Sequence, residues 1–202
     1  MNNCGCNNEL PVFRTCDKFG TFTANDVKCT DSSIPAEGSI IPFSSGISLS
    51  TVQDSLGLIR ASLLGFGTAI NIVPIIGNSI NLTNLLTEAF TVPRDGEITA
   101  ISGTFASLSG FIADVSVIIR AQIFLAPEGS NIFTGTNASV DLKPPITGPN
   151  PIGQITFASA NIPPVPVTVG DRLLMVFYIS SITGFLEFDR IVGNASAGIN
   201  IV

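Results

Sequence analysis

The sequence predicts an all-β protein, a sandwich or jelly roll behind an extended N-terminal arm. After residue 38, about ten short apolar segments alternate with Gly, Pro and Asn, and no segment has a convincing helical pattern. Many short strands of this kind are typical of sandwiches and jelly rolls. All four cysteines lie ahead of these segments, so the chain divides into two parts of different character.

The cysteine-bearing part is polar and rich in Asn, Asp and Thr. It contains Cys4, Cys6, Cys16 and Cys29 and closes with the sequence IPAEG at residues 34–38. Because Pro and Gly favour a linker here, we predict a connector arm over residues 1–36 and a folded domain over residues 37–202. A domain of that length hides roughly two-thirds of its unfolded surface and can therefore form its own core.

The predicted strands of the domain follow from its apolar runs and the turn residues between them. They cover residues 40–43, 56–64, 85–92, 97–108, 112–125, 139–142, 154–158, 165–169, 172–179, 184–192 and 197–202. Residues 127–151 are expected to be mostly loop, and residues 51–64 could also hold a helical turn or two. The GFG sequence at residues 65–67 favours a kink or bulge.

Two segments have the clearest strand patterns. Apolar side chains at odd positions from Val115 to Ile123 alternate with a mixed set that includes Ile118, Arg120 and Gln122. This alternation predicts one face on the core and a second face partly covered by a neighbour. Residues 172–179 are nearly all apolar, which predicts a central strand buried on both faces.

The composition points to a subunit interface. Charged residues make up 12% of the chain, about half the usual share of roughly 25%, and the mean hydropathy is +0.50. Arg60, Asn71 and Pro74 interrupt the most apolar stretch, so it does not supply the roughly 20 apolar residues of a membrane helix. The N-terminus lacks the basic and apolar regions of a signal peptide. We therefore expect the excess apolar surface to lie between subunits.

The same composition argues against several chemistries. The net charge is −6 and the nine Lys and Arg residues form no basic patch, which argues against nucleic-acid binding. Histidine is absent, so the chain has no imidazole base, no ordinary catalytic triad and no usual zinc or copper site. We expect no enzymatic activity, no cofactor and no metal.

Four segments of the domain resemble a known family. They are IIPFSSG at residues 40–46, FTVPRDGEIT at 90–99, VGDRLL at 169–174 and ASAGI at 195–199. In this order they are similar to the C-terminal domain of the BclB-type collagen-like exosporium glycoproteins of Bacillus spores. The resemblance spans the whole domain and implies a trimeric jelly roll of the complement-head and tumour-necrosis-factor kind, displayed on the spore surface.

The chain departs from that family because the arm stands in place of the collagen-like stalk. A stalkless trimerising head with an arm resembles a subunit of endospore appendage fibres, made in the mother cell without a signal peptide. The resemblance implies a structural protein whose trimers join head to tail, with itself as the main partner and an exosporium or coat anchor as a further one. The alternative is an exosporium or fibre-tip head that binds a surface ligand or glycan, first sought at residues 144–151.

The cysteines are candidate cross-links. Cys4 and Cys6 are too close for an easy mutual disulfide, so they either cross-link subunits or remain free thiols. Cys16 and Cys29 could pair within one chain, a closure worth about 3 kcal/mol, or between chains. A zinc site built from all four has no standard ligand spacing.

The arm also holds a candidate connector strand at residues 10–15, with Leu10, Val12, Phe13 and Arg14 as its candidate contact residues. It could add to an exposed sheet edge of a neighbour through main-chain hydrogen bonds, or it could remain disordered.

Among acidic residues, Glu187 and Asp189 could serve as a carboxylate pair. A solvated or ion-paired face is favoured, because Arg190 is adjacent and no second pair is evident. The neighbours Asp171 and Arg172, like Arg94 and Asp95, are expected to fix turns.

Overall fold

The computed structural model describes residues 38–53, 57–85, 89–108, 115–148, 152–184 and 189–202. The chain divides into two units, and all of the described residues belong to the second, Gly38–Val202. These residues contain thirteen strands and no helix, which confirms the all-β prediction.

The strands are numbered in chain order. They are β1 (Ser39–Ser44), β2 (Leu49–Gln53), β3 (Ile59–Leu64), β4 (Ala69–Pro74), β5 (Ser79–Asn81), β6 (Phe90–Thr91), β7 (Gly96–Ser107), β8 (Ser116–Ala126), β9 (Ile132–Asp141), β10 (Ile146–Thr147), β11 (Ile155–Val167), β12 (Arg172–Thr183) and β13 (Asp189–Ile201).

All of the strand pairs are antiparallel and join into one sheet. The sheet runs in the order β11-β7-β13-β2-β3-β12-β8-β9-β5. The remaining strands attach at the sides, since β1 pairs with β13, β4 with β3, β6 with β12 and β10 with β8. We call β1, β2, β7, β11 and β13 the first half of the sheet and the other strands the second half.

The two halves pack face to face. Gly103 in β7 shows this directly, because a Cβ atom at this position would lie 3.0 Å from the Cβ of Ala121 in β8 and 3.8 Å from the ring of Phe177 in β12. Neither of those strands is hydrogen-bonded to β7. The main core lies between the halves and joins residues such as Phe105 and Ile199 to Phe177.

Strand β12 is buried on both faces, as its sequence predicts. Met175 and Phe177 enter the main core. Leu174 and Val176 enter a second cluster on the outer side of the second half, where they meet Phe133 and residues of β4 and β5.

The alternation predicted for residues 115–123 is also confirmed. Val115, Val117, Ile119, Ala121 and Ile123 are all buried in the main core. The strand that carries them is described from Ser116, since residues 109–114 lie outside the described residues. The predicted strands at 85–92 and 184–192 also include residues outside the described ranges.

Two predicted strand pairs are in fact single strands. Residues 154–158 and 165–169 are joined in β11, which has a register shift between Asn161 and Val165. Pro163 and Pro164 lie in this irregularity; they lack an N–H, and an edge strand tolerates this because it has only one hydrogen-bonded side. Similarly, the predicted strand at 197–202 is continuous with Asp189 in β13.

The prediction of mostly loop for residues 127–151 is wrong in its middle part. Residues Ile132–Asp141 form β9, of which only the end was predicted. Its sequence, IFTGTNASVD, is polar because one of its faces is largely outside the core. Pairing with β8 and β5, rather than apolar content, makes it a strand.

The region from 49 to 74 also differs from expectation. Residues 51–53 and 59–64 are strand, none of the described residues of 51–64 is helical, and β4 and β5 were not predicted. GFG is the turn of the β3–β4 hairpin, closed by a 2.8 Å bond from the N–H of Gly65 to the carbonyl of Thr68, and not a kink or bulge. The bulge is in β4, where the register shifts opposite β3 and Ile72 has a φ of 62°.

We expect Phe177→Ala to lower the free energy of unfolding by about 3–5 kcal/mol, because it leaves a cavity between the two halves. Phe66→Ala is the control, since that ring is 56% exposed in the β3–β4 turn, and should cost at most about 1 kcal/mol. Urea unfolding of both variants measures the difference. Equal losses would contradict face-to-face packing at Phe177.

Candidate functional site

Most of the outer side of the first half is an exposed sheet surface without charge. Since Phe43, Phe105 and Ile199 point into the core, the alternate residues of the same strands point outward. We call this surface the neutral face. It consists of Ile40, Pro42 and Ser44 of β1, Asn194, Ser196, Gly198 and Asn200 of β13, Ala100, Ser102, Thr104 and Ala106 of β7, and Ile155, Phe157, Ser159 and Asn161 of β11.

The strand registers align these residues in rows across the sheet. One row runs from Pro42 through Gly198 and Ser102 to Ser159. Most of the side chains in the centre are small, and two depressions on the surface are shallow. One is lined by Ile40, Ala100, Ser102, Ser159, Gly198 and Asn200, and the other by Ser44, Ser45, Thr104, Ala106, Asn194 and Ser196.

Large apolar side chains border this surface. Ile40 is 76% exposed at the β1 side, while Ile155 and Phe157 are 59% and 53% exposed at the β11 side. Single exposed apolar residues are ordinary, but apolar residues that flank an uncharged surface are typical of interaction sites. A second sheet can pack on such a surface at about 10 Å without removing any charge from water.

The outer side of the second half is different, because part of it is already covered. Leu63, Phe124, Phe133 and Val176 are buried there beneath β4 and β5. The uncovered part carries the polar cluster described next. Only the first half therefore presents a broad neutral surface within the described residues.

An ion pair is the centre of the polar cluster on β8, β9 and β12. Arg120 donates two hydrogen bonds to the Asp141 carboxylate, at 2.7 and 2.8 Å, and the Ser180 hydroxyl donates a third at 3.0 Å. These bonds, above all those from Arg120, hold the pKa of Asp141 below its usual value. The same pairing raises the pKa of Arg120.

Tyr178 and Gln122 extend the cluster. The Tyr178 hydroxyl donates to the Gln122 side-chain oxygen at 2.6 Å, and the Gln122 amide donates to the carbonyl of Thr136 at 2.7 Å. Burial raises the pKa of Tyr178. Since the acidic and basic groups satisfy each other, this cluster ties β8, β9 and β12 together. The sequence predicted the polar positions of Arg120 and Gln122 but not their partners on β9.

A second polar cluster joins β2 to the bulged β4. The Asn71 side chain accepts bonds from the Ser50 N–H at 3.0 Å and the Ser62 hydroxyl at 2.9 Å, and donates to the carbonyl of Ser48 at 2.9 Å. The Nε of Arg190 donates to the Ser50 hydroxyl at 2.7 Å. The bulge at Ile72 thus places Asn71 where it can fix the first half to the second. No sequence motif pointed to this cluster.

The two turn aspartates act through backbone groups. Asp171 accepts a bond from the N–H of Thr168 in its own turn, and Asp95 accepts one from the N–H of Val169, both at 2.8 Å. Their role in turns agrees with expectation. Arg172 does not pair with its neighbour; it donates to Ser130 and Asn131 of the β8–β9 turn.

The sequence-predicted site residues largely lie outside the described residues. These include the cross-link candidates Cys4, Cys6, Cys16 and Cys29, the connector residues Leu10, Val12, Phe13 and Arg14, and the Glu187 and Asp189 side chains. In the predicted ligand loop, residues 146–147 pair with β8 and Ile146 is buried. Within the described ranges, no group of three or more acidic or cysteine side chains is arranged to hold a metal.

No family model matches the chain, and no curated protein is similar to it. In the part of the chain that the structure describes, there is no helix of the length and apolar character needed to cross a membrane.

We expect Asp141→Asn to lower stability at pH 7 by about 1 kcal/mol, because the pair with Arg120 is about one-third exposed and solvent weakens it. Folding lowers the pKa of Asp141. The contribution of its carboxylate to stability is therefore complete above the pKa that this carboxyl has in the unfolded chain, and it is lost as the pH falls below about 4. Urea unfolding at pH 7 and pH 3 measures this. The wild-type protein and the variant should differ at pH 7 and converge in acid; a constant difference would contradict the charge effect.

Proposed function

We propose that this chain is a non-enzymatic structural subunit that assembles with copies of itself. The neutral face carries the proposal, because copies that meet through it bury little charge and place no like charges opposite each other, although each chain has a net charge of −6. The small residues in its centre allow close packing, and Ile40 and Phe157 add apolar area at its margins.

The finer form of the proposal is a trimeric jelly roll of the complement-head kind. Two antiparallel halves packed around one core support it, as does the resemblance at residues 40–46, 90–99, 169–174 and 195–199. Under this proposal the neutral faces turn toward one another around the trimer axis. Closed symmetry of this kind gives a particle of fixed size.

The arm, residues 1–36, would join one trimer to the next. Strand addition by residues 10–15 would supply the contact, and disulfides from Cys4, Cys6, Cys16 and Cys29 would lock it. The product would be a fibre or appendage on the spore surface, made in the mother cell and attached through an exosporium or coat anchor. The family resemblance supports this location.

Electron microscopy and sedimentation velocity of the full chain test the function. We expect trimers by mass and fibres by microscopy, with the fibres shortened by a reducing agent that breaks the cysteine cross-links. A chain that stays monomeric with its arm intact and oxidised would refute the structural proposal. A chain without residues 1–36 should form trimers that no longer polymerise, and fibres from that truncated chain would refute the role of the arm.

Gly198→Arg tests the neutral face. A Cβ at this position would meet only ordinary contacts, the nearest being the Ser102 hydroxyl at 3.6 Å, so the fold should tolerate it. The arginine would place a charge at the centre of the face, and copies would repel each other. We expect the dissociation constant of the oligomer to rise at least tenfold, about 1.4 kcal/mol.

Thr134→Arg is the matched control, because Thr134 is an exposed strand residue of the second half. It should leave the oligomer unchanged in sedimentation velocity. Circular dichroism must show the wild-type strand spectrum for both variants. If Gly198→Arg assembles like the wild-type protein, the neutral face is not the interface.

A further inference from the structure

Strand β1 has one free edge among the described strands. It pairs with β13 over all six residues, from Ser39 opposite Ile201 to Ser44 opposite Ser196. No described strand lies on its other side. Unpaired edges of this kind can accept a strand from another chain.

The register shows which groups this edge offers. The N–H of Ser45 donates to the carbonyl of Ala195 at 3.0 Å, so odd-numbered residues of this segment turn their backbone groups toward β13. In an antiparallel pair the backbone groups alternate in direction, so Ile40, Pro42 and Ser44 turn theirs toward the free edge. The edge therefore offers three carbonyls but only two N–H groups, because proline has none.

The other long edge of the first half, at β11, is already blocked. Phe157 and Lys143 exchange two backbone hydrogen bonds there, at 2.9 and 3.1 Å. Pro163, Pro164 and Pro166 remove donors from the rest of the strand.

The side strands of the second half offer less than β1. β4 is bulged near Ile72 and ends in Pro74, and β5 and β6 have three residues or fewer. Irregular and very short edge strands are poor templates for strand addition. β1 is regular and six residues long, and Pro42 is its one residue that cannot donate a backbone hydrogen bond to an added strand.

We propose that the free edge of β1 accepts residues 10–15 of a second copy as an additional antiparallel or parallel strand. This inference rests on the proposed head-to-tail function and adds the site on the neighbouring copy at which the arm docks. The edge carries no charged side chain, and the connector carries one, Arg14, near its end. Residues 10–13 can therefore pair there without removing a charge from water.

The length of the arm agrees with a partner in another subunit. About 20 residues separate Thr15 from Gly38, and an extended chain spans about 3.4 Å per residue, so the connector can reach about 70 Å. A domain of about 165 residues has a radius of gyration of only about 15 Å. The connector can thus pass beyond its own domain to a neighbouring copy.

Strand addition would place alternate connector side chains on two different surfaces. One set would extend the neutral face beside Ile40. The other set would lie on the inner side, next to Phe43, which is buried in the main core. The apolar residues Leu10, Val12 and Phe13 suit both surfaces.

Proline substitution tests the edge without breaking the β13 ladder. Ile40→Pro and Ser44→Pro each remove one N–H that faces the free edge. In the full-length oxidised chain we expect both variants to shorten the fibres at least tenfold in electron micrographs. Because Ile40 and Ser44 also lie on the neutral face, sedimentation velocity measures any change in oligomer mass separately, and Ile40→Ala corrects for the loss of the side chain. Wild-type fibres from both variants would overturn the proposal but leave the head-to-tail function in place.

Two controls separate backbone pairing from other effects. Ile40→Ala keeps the N–H and removes most of the side chain, so it should retain longer fibres than Ile40→Pro; equal loss would overturn the proposal. Ile155→Pro removes an N–H that faces away from β7 on the β11 edge. Because Ile155 also lies on the neutral face, Ile155→Ala is its matched variant, and the two should give fibres of equal length.

Two further outcomes complete the test. Both proline variants could instead keep the wild-type fibre length and have a lower unfolding temperature. This result would mean that the edge pairs with the arm of the same chain, and it would also overturn the proposal. If the proline variants do not fold, a peptide of residues 9–15 added in excess to the full-length chain decides, because it should shorten the fibres. A wild-type chain that forms no fibres would instead refute the proposed function.

Discussion

The register of β13 between β1 and β7 is the constraint on which the rest of the structure depends. It places Ala195 and Ile199 in the main core and leaves Ser196 and Gly198 on the neutral face. A slip of one residue would exchange the two sets, because side chains alternate between the faces of a sheet. Two glycines oppose such a slip. A Cβ at Gly193 would collide with the Phe105 ring, and one at Gly96 would lie 2.6 Å from the carbonyl of Val202.

The same register explains why charge is distributed unevenly over the domain. The strands of the first half place most of their apolar residues inward, and the outward positions of the neutral face hold only Ala, Ser, Thr, Asn, Gly, Pro and a few apolar residues. Among the described side chains, the exposed charges of this half, Glu97 and Arg190, lie beyond that face. The second half holds Arg120 and Asp141 on its uncovered part, and buries the remainder beneath β4 and β5. The domain thus covers part of one outer surface with its own strands and leaves most of the other neutral, which is the basis of the proposed self-association.

The parts of the fold that could be predicted from the sequence are those in which a single strand carries its own pattern. The alternation from Val115 to Ile123 and the apolar run around Met175 predicted β8 and β12 correctly. In both strands the order of apolar and polar residues alone shows which faces are buried. β9 was mostly missed because its strand conformation depends on pairing rather than on apolar residues. The division of β11 at its prolines was wrong because an edge strand tolerates residues that a central strand would not.

The neutral face could not be predicted in the same way, because register alone brings residues 40–44, 100–106, 155–161 and 194–200 together. A partial signal was present: Ala100, Ser102 and Thr104 alternate with Ile101 and Phe105 without any charge. A strand with a small, uncharged outer face is unusual for a surface that meets water. The cysteines and the connector were selected from the sequence for their chemistry, and they stay predictions.

Growth in one direction needs two different kinds of surface. A contact that closes under symmetry, such as the neutral face in the proposed trimer, ends in a particle of fixed size, whereas a head-to-tail contact continues indefinitely. In the proposed assembly the domain separates the two requirements, because the neutral face would use side chains and the β1 edge would use backbone groups. Pro42 leaves that edge with two donors only, so strand addition there would be weaker than an unbroken ladder. A weak edge limits pairing with unrelated strands, and the proposed disulfides of the arm would then make the correct pairing permanent.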